Sequence, residues 1–436
     1  MERILSRDVA AHAGQTILIA GWLHKKRLLG GLNFIALRDR SGIVQSLIDD
    51  KDELEKLRGM QIGTVLRLTG TVVADERAPG GAELHDVTVE VVTPVTDESP
   101  IEIDKPISHK PEHLDTLFDY RVLNIRNPQE QKIFKVRNAL VREIRNYLYE
   151  HEFTEIDTPK LLGAATEGGA EVFKLDYFDQ EATLAQSPQF YKQIMVGAFE
   201  RVYEIGHAYR AEPSATTRHM TELTMLDIEM GFVESHGDVM NLVGDMTMTV
   251  LRKVYDAQAD ALKSLAAPEL KLPEGIVPRF TVTQIHEMYT KATQTDTTSE
   301  KDLTPDEERW IAEYAKKELG SDLVYATNFP REAGKFYHKF YDDGTVAWAD
   351  LLFRGVEIAT VPLRENNYDA MVEQMTRAGL DVTADGFTYY LQAFKYGLPR
   401  HGGCGYGIDR LVQKTIGLGN VKEATLFPRD INRLTP

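Results

Sequence analysis

Short runs of alternating apolar and polar residues fill the chain between Thr16 and Thr93. The runs are TILIAGWLH, LNFIALRD, GIVQSLID, TVLRLTGTVV and HDVTVEVVT, and glycine-containing turns separate most of them. An alternation of period two places successive side chains on opposite faces of a strand. Five short strands at this spacing predict a small all-β unit that closes into a barrel.

A helical period replaces the alternation after a segment rich in proline and mixed charge, which we interpret as a hinge. The pattern predicts a long amphipathic helix over residues 129–151. Its apolar stripe is Ile133, Val136, Leu140, Val141, Ile144 and Leu148. Residues 261–278 are expected to form a loop, and TPDEERWIAEYAKKELG a helix with Thr304 as its N-cap. Further on, apolar strands and helices mix without an internal repeat, which favours an α+β domain with a largely antiparallel sheet.

These patterns divide the chain into three parts. Residues 1–100 are expected to form a five-stranded barrel of the oligonucleotide-binding (OB) type, residues 101–128 a hinge, and residues 129–436 the α+β domain. The sequence has no Walker-type loop and no GxGxxG after a first strand. A doubly wound nucleotide-binding domain is therefore not expected.

Charge and cysteine content narrow the class of protein further. The single cysteine, Cys404, excludes an internal disulfide and a cysteine-rich zinc site. No apolar run is long enough to cross a bilayer, and an Arg-Asp pair interrupts the N-terminus where a signal peptide needs apolar residues. We expect a cytoplasmic protein. The net charge of -17 argues only weakly against a nucleic-acid partner, because binding depends on the local field around residues such as Lys25 and Arg27.

Three segments of the α+β domain resemble the signature motifs of class II aminoacyl-tRNA synthetases, in that family's order. They are the helix ending in FTEIDTPKLL, then YRAEPSATTRHMTELTMLDIEM, then GLPRHGGCGYGIDRLV. The strings ATEGGAEVF and LAQSPQFYKQIMV between the first two motifs narrow the resemblance to the aspartyl branch. The resemblance spans essentially the whole chain. It implies a homodimeric ligase that joins L-aspartate to tRNA(Asp) with ATP, and it leaves open tRNA(Asn) as a second substrate.

The resemblance also implies how ATP is held. Arg210 is expected to contact the α-phosphate and the amino-acid carboxylate, a task suited to a forked guanidinium. Arg410 would lie on the adenine and reach the γ-phosphate, and these two arginines are the expected catalytic residues. The remaining expected ATP contacts are Glu212, Arg218, His219 and Glu357. Taken alone, each arginine is an ordinary surface or salt-bridge residue.

By the same resemblance, Mg²⁺ bridges the ATP phosphates through oxygen ligands from Asp350, Glu357 and the hydroxyl of Thr360. Without the resemblance, the two acids would be read as solvated strand carboxylates. Lys192 and Arg364 hold the family's positions for the aspartate side chain. The residues expected around its amino group are Glu167, Ser187, Gln189 and Asp227. Lys192 favours aspartate over asparagine, because a cation facing a neutral amide would stay unpaired.

In the barrel, Phe34 matches the family's aromatic that stacks on an anticodon base, and Gln45 matches a reader of base edges. Arg27 is expected to contact the phosphates of the anticodon stem. In an unassigned barrel Phe34 would be an ordinary strand aromatic. His24 and the turn Ala78-Pro79-Gly80 resemble the bacterial subgroup that charges both tRNA(Asp) and tRNA(Asn).

The resemblance breaks at one place near the expected amino-acid site. After Gly355-Val356-Glu357-Ile358 the family usually continues with Ser-Gly-Gly-Gln-Arg, whereas this chain has residues 359–364 as ATVPLR. Val361 and Pro362 add bulk, and Pro362 lacks a backbone donor. Three alternatives therefore remain: an asparaginyl enzyme, an enzyme that makes asparagine without tRNA, and a paralogue without catalysis that binds tRNA.

Overall fold

The structure, a computed structural model, describes residues 1–29, 32–163, 171–213 and 216–436. The chain divides into two units, Met1–Glu130 and Gln131–Pro436. Within the described residues, no helix is both long enough and apolar enough to cross a membrane.

The predicted barrel is confirmed in the first unit. Its described strands close in the order β1-β2-β3-β5-β4. They are β1 (Thr16–Leu29), β2 (Leu32–Arg38), β3 (Ile43–Leu47), β4 (Val65–Ala74) and β5 (Ala82–Thr93). The alternating pattern explains the closed barrel, because the apolar residues of each strand point inwards. These side chains, which include Ile19, Ile35 and Leu68, fill the interior. Helix α1 (Lys51–Arg58) follows β3, and the side chain of Asp50 caps its first turn.

The segment interpreted as a hinge contains two helices, α2 (Pro111–Asp119) and α3 (Arg121–Asn124). Arg121 is 2% exposed and its Nη1 lies 2.9 Å from Oε2 of Glu130, which is also buried. This buried ion pair stabilises the proline-rich segment, and the composition of the segment did not indicate such a pair.

The predicted antiparallel sheet is confirmed in the second unit. Among the described residues it has the order β12-β13-β14-β15-β16-β11-β10-β6, and only the β12–β13 and β10–β6 pairs are parallel. Its strands are β6 (Thr154–Glu155), β10 (Arg201–Tyr209), β11 (Glu222–Gly231), β12 (Arg279–Thr281), β13 (Leu323–Pro330), β14 (Thr345–Phe353), β15 (Val356–Pro362) and β16 (His401–Gly407). A small separate sheet is formed by β7 (Leu161–Leu162), β8 (Lys174–Tyr177) and β9 (Gln180–Leu184).

Helices surround the large sheet. They are α4 (Pro128–Glu150), α5 (Gln189–Phe199), α6 (His236–Ala257), α7 (Ala259–Ser264), α8 (Val282–Thr293), α9 (Pro305–Glu318), α10 (Tyr368–Arg377), α11 (Asp385–Lys395) and α12 (Ile408–Ile416). Helix α4 and its stripe are as predicted, since Ile133, Val136 and Leu140 are buried in the main core. The N-cap of α9 is also confirmed, because Thr304 forms a capping box with Glu307. The predicted loop 261–278 instead begins inside α7.

Candidate adenylation site and nucleic-acid face

One cavity of about 400 Å³ collects most of the predicted catalytic residues. The predicted residues that line it are Ser187, Gln189, Lys192, Arg210, Glu212, Arg218, His219, Asp227, Glu357, Thr360, Arg364 and Arg410. They come from segments spread over more than half of the second unit. A cavity of this size accommodates a ligand such as a nucleotide joined to an amino acid.

The large sheet separates this cavity from the main core. Along β11, Leu226 and Ile228 belong to the core packed around α4 and α6, whereas Asp227 lines the cavity. In β16, Tyr406 faces the core, and Gly405 and Gly407 line the cavity. Since glycine has no side chain, this part of the sheet leaves its backbone accessible to a flat ligand.

One end of the cavity is suited to phosphate. Arg210 follows β10, and its backbone N–H donates to the carbonyl of Thr221 at 2.9 Å. Its side chain has no carboxylate partner within the part of the chain that is described. Arg218, by contrast, pairs with Glu308 at 2.7 Å. Burial, followed by the charge of Arg410, lowers the pKa of His219, so its ring is neutral near pH 7.

Arg410 is positioned by the start of α12. Its Nη1 donates to the backbone carbonyl of Glu357 at 2.9 Å and lies 3.2 Å from the Glu357 carboxylate. The neighbouring Asp409 is buried, and it accepts from Nη1 of Arg137 at 2.5 Å and from the backbone N–H of Thr224 at 2.8 Å. The Thr224 hydroxyl also accepts from Arg137, at 2.8 Å. These contacts fix α12, and with it Arg410, against α4 and β11.

A β-bulge brings the predicted metal ligands together. The β14–β15 register shifts between Leu351 and Leu352, so that one extra residue stands in β15. Without the bulge, residues 357 and 360 would point to opposite faces of the sheet. With it, the Thr360 hydroxyl donates to Glu357 at 2.8 Å, and Asp350 is the cross-strand partner of Thr360.

The donor set at the bulge fits a hard divalent cation. It consists of two carboxylates and a hydroxyl, the oxygen ligands that Mg²⁺ prefers. Burial and the negative charge of Glu357 raise the pKa of Asp350 well above its usual range. Burial acts on Glu357 in the same direction, but the charge of Arg410, the hydrogen bond from Thr360 and the charge of Arg210 together outweigh it and lower the pKa of Glu357. The repulsion between the two carboxyl groups is the kind that a bound cation relieves.

The other end of the cavity holds a buried network of charges. Nζ of Lys192, on α5, donates to Oδ1 of Asp227 at 2.7 Å and to the carbonyl of Cys404 at 3.0 Å. Arg364 forms a two-pronged pair with Glu229, at 3.0 and 3.1 Å. The four charged side chains are at most 3% exposed. Burial would raise the pKa of Glu229, but Arg364 and then Lys192 hold it below its usual range.

The residues expected around the amino group are only partly described. Ser187 and Gln189 line the cavity, and Gln189 donates to Gln193 at 2.7 Å. Glu167 lies outside the described residues. Glu171, four positions further along, lines the cavity, and its carbonyl accepts from the backbone N–H of Ala211. Sequence reasoning did not single it out, although it stands in the string that carried the resemblance.

Residues 361–363, where the sequence differs from the family pattern, lie largely in the core. Val361 and Leu363 are at most 5% exposed and belong to the main core, and only Pro362 of the three lines the cavity. The regular pairing of β15 with β16 ends at Thr360. The missing N–H of Pro362 therefore falls where this ladder has stopped. The Val361 carbonyl lies 2.6 Å from Nε2 of His236, whose pKa is lowered to about 4 by burial.

The barrel carries the predicted anticodon residues on one outer face. Arg27 pairs with Phe34 in the β1–β2 register, and Ala36, two residues after Phe34, pairs with Gln45 in β3. Directly opposed residues, and residues two apart on a strand, share a face. Arg27, Phe34 and Gln45 therefore lie together, on the side opposite the buried Ile35.

Two further side chains, missed by sequence reasoning, join this face. Gln45 donates to Oε2 of Glu83 at 2.7 Å, and Nε2 of His85 lies 2.8 Å from the other Glu83 oxygen. Glu83 and His85 lie on β5, which reaches this face because it pairs with β3 in parallel. The sequence does not reveal that pairing. Lys26, the residue before Arg27 in β1, points away from this face. Its Nζ donates to carbonyl groups at the end of α1, among them that of Arg58 at 2.9 Å.

Comparison with known proteins agrees with both units. The family profile described as tRNA synthetases class II (D, K and N) matches residues 113–431, and that described as OB-fold nucleic acid binding domain matches residues 17–92. The antiparallel sheet with its arginine-lined cavity and the OB-fold barrel are the two parts of a class II aminoacyl-tRNA synthetase. The chain belongs to that family, in its branch for aspartate, lysine and asparagine.

Relatives at the level of sequence and of structure lie in the same branch. The chain is 41% identical to the Aspartate--tRNA(Asp/Asn) ligase of Thermus thermophilus, over all of both chains. It is 38% identical to the Aspartate--tRNA(Asp) ligase of Pyrococcus abyssi, over 97% of each. The asparaginyl-tRNA synthetase of Pyrococcus horikoshii, solved with asparaginyl-adenylate, has a TM-score of 0.91 at 30% identity and full coverage of both chains.

Proposed function

We propose that this enzyme activates L-aspartate with ATP and transfers it to tRNA(Asp), with tRNA(Asn) as a second acceptor. The observation that carries the proposal is the single cavity with two unlike ends. Arg210 and Arg410 stand at the phosphate end, and Lys192 and Arg364 at the other. Three relatives that are 38–41% identical to the chain are named aspartate--tRNA(Asp/Asn) ligase, which supports aspartate as the amino acid and both tRNAs as acceptors.

In the first reaction a carboxylate oxygen of aspartate attacks the α-phosphorus of ATP, and the bond to the β-phosphate breaks to release pyrophosphate. Arg210 binds the α-phosphate and the attacking carboxylate, which holds the two anions together and offsets their repulsion. Arg410 supports the adenine and the distal phosphates. In the second reaction a hydroxyl of the terminal adenosine of tRNA attacks the aspartyl carbonyl, and AMP leaves.

The residues at the bulge, Asp350, Glu357 and Thr360, would hold Mg²⁺. When bound, the cation neutralises charge on the ATP phosphates. Arg410 contacts Glu357 from the adenine side. It therefore keeps that carboxylate ionised and able to serve as a ligand.

Lys192 supports aspartate over asparagine. An ammonium group has three donors, and Lys192 uses two of them within the described residues, on Asp227 and on the carbonyl of Cys404. The third is available to a ligand. A carboxylate satisfies it with charge, whereas the amide of asparagine leaves the ammonium group less well compensated. The likeness to an asparaginyl enzyme makes asparagine the alternative substrate to test.

The proposal is tested by amino-acid-dependent exchange of pyrophosphate into ATP. We expect exchange with aspartate, and none above background with asparagine or without an amino acid. Exchange with asparagine alone would assign the chain to the asparaginyl enzymes. A folded protein that binds ATP but exchanges with neither amino acid would support the paralogue without catalysis.

Replacing Phe34 with alanine is expected to weaken tRNA binding and leave adenylation intact. Stacking of a base on an aromatic ring contributes about 1–3 kcal/mol, so KM for tRNA should rise about 10- to 100-fold. The measurement is aminoacylation of tRNA(Asp) and tRNA(Asn) transcripts beside pyrophosphate exchange. Val92→Ala is the control, because Val92 is 45% exposed and lies on β5, eight residues beyond Leu84, where that strand pairs with β3. An unchanged KM for tRNA in the Phe34 variant would remove this face from the anticodon site.

We further propose a cytoplasmic homodimer. The resemblance places the subunit interface at the first motif, which here comprises α4 and β6. Tyr149, in the last turn of α4, is 80% exposed, as expected for an aromatic residue that a second subunit covers. Light scattering should give twice the chain mass of 49.2 kDa, and a monomer at working concentrations would contradict the proposal.

A further inference from the structure

The buried charges at the amino-acid end of the cavity cancel one another. Lys192 and Arg364 contribute two positive charges, and Asp227 and Glu229 two negative charges. Lys192 also lies 3.7 Å from Glu229, which ties the two pairs into one network. Such a network gives shape and donors, among them the third donor of Lys192, but its charges sum to zero, so it adds no net positive charge to attract a carboxylate.

Lys335 adds a positive charge outside this network. It lines the same cavity and is exposed to it, and no carboxylate lies within ion-pair distance of it in the described part of the chain. Its backbone N–H donates to Nδ1 of His338 at 3.2 Å. His338 lines the cavity and is also the backbone bridge partner of Arg364. These contacts hold the Lys335 segment beside the strand that carries Arg364.

The histidines nearby do not add to the charge. Burial, then the charges of Arg364 and Lys335, hold the pKa of His338 well below its usual range. Because Nδ1 accepts from Lys335, the proton of the neutral ring is on Nε2. Burial likewise lowers the pKa of His401, beside Glu229. Among the described residues that line the cavity, the cations without a carboxylate partner are Arg210, at the phosphate end, and Lys335.

We propose that Lys335 supplies the net positive charge that strengthens the preference of the amino-acid site for a side-chain carboxylate over a carboxamide, beyond the contribution of Lys192. This inference rests on the proposed activation of aspartate and names a further specificity residue for it. Lys192 and Arg364 supply buried donors of fixed geometry, and Lys335 supplies a field that the neutral network lacks. Since Lys335 is exposed, its contribution decreases as ionic strength rises.

The test compares Lys335→Met and Lys335→Arg with the unaltered chain in pyrophosphate exchange. We expect Lys335→Met to raise KM for aspartate about 10-fold, as the loss of one charge interaction of moderate strength implies. KM for ATP and kcat should stay within about 2-fold, as should the inhibition constant of asparagine, because an amide carries no charge for Lys335 to attract. Lys335→Arg should restore most of the affinity for aspartate. Lys291→Met, which removes an exposed lysine of α8, is the control.

The possible outcomes separate the inference from the proposed function. No aspartate-dependent exchange in the unaltered chain would contradict the proposed function itself. If the unaltered chain is active and KM for aspartate in Lys335→Met is unchanged, the inference is wrong. A rise in KM for ATP in place of that for aspartate would assign Lys335 to the phosphates and overturn the inference as well. A loss of affinity for aspartate that disappears in about 0.5 M salt would support it.

Discussion

Replacing Arg210 with glutamine should lower kcat/KM for aspartate-dependent pyrophosphate exchange by about 1000-fold, the loss typical of a donor that stabilises transition-state charge. The side chain lines the cavity without a carboxylate partner within the described residues, and its backbone is anchored to Thr221. Its guanidinium group is therefore free to bind anions. Negative charge concentrates around the α-phosphorus as the carboxylate attacks, so the loss should appear in kcat as well as in KM.

The control for this experiment is Arg252→Gln, which removes an exposed arginine of α6. Both variants should unfold at the temperature of the unaltered chain, since neither arginine has an ion-pair partner to leave behind in the part of the chain that is described. A decrease in exchange of less than about 10-fold for the Arg210 variant would show that another group binds the α-phosphate, because one strong charge-assisted contact exceeds that value.

Replacing Arg364 with methionine should lower both activity and stability. Glu229 is 0% exposed, and without its two-pronged partner it keeps only the more distant Lys192. Breaking a buried ion pair by removing one partner costs about 3–5 kcal/mol in the free energy of unfolding. Exchange with aspartate should become undetectable, because the cavity also loses a donor for the substrate side chain.

The pH dependence of that loss follows from the pKa of Glu229. In the unaltered chain this pKa is lowered, so its contribution to stability is present above the unfolded pKa and is lost as the pH falls through the folded value. In the variant, burial dominates and the pKa of Glu229 is raised above the unfolded value. The destabilisation should then be largest near neutral pH and should decrease in acid, as Glu229 binds a proton.

The double variant Arg364→Met/Glu229→Gln provides the check on stability. It should recover most of the stability at pH 7 without recovering activity, because the unpaired charge is gone but the donor is still missing. Chemical denaturation of each single variant and of the double variant closes the cycle. If the double variant is less stable than Arg364→Met alone, the loss in the single variant came from packing rather than from an unpaired charge.

Local patterns were sufficient for much of the fold. The alternation in residues 16–93 predicted the barrel, and the stripe of α4 and the Thr304 cap predicted two helices, because each signal is contained in a few neighbouring residues. The hinge was harder to predict. This segment is held by the buried ion pair of Arg121 and Glu130. The sequence does not distinguish a buried ion pair from a solvated one.

The candidate site was also predictable from the sequence only in part. Motif resemblance located Arg210, Arg364 and Arg410. The partner of Arg364, Glu229, and the pairing of Asp409 with Arg137 depend instead on how distant strands and helices meet. The direction of a side chain in an irregular strand was equally inaccessible. Val361 was expected to add bulk near the amino-acid site, and a bulge and an interrupted ladder place it in the core instead. Such shifts of register depend on the neighbouring strands and cannot be read from one segment.

The bulge in β15 also limits which sequence changes the enzyme can tolerate over evolution. Straightening β15 without shortening it would turn the threonine away from the glutamate, whereas deleting the one extra residue would restore a regular pleat and keep both side chains on one face. Among descendants of this sequence, a three-residue spacing from glutamate to threonine therefore keeps the metal ligands together only with the bulge, and a two-residue spacing only without it.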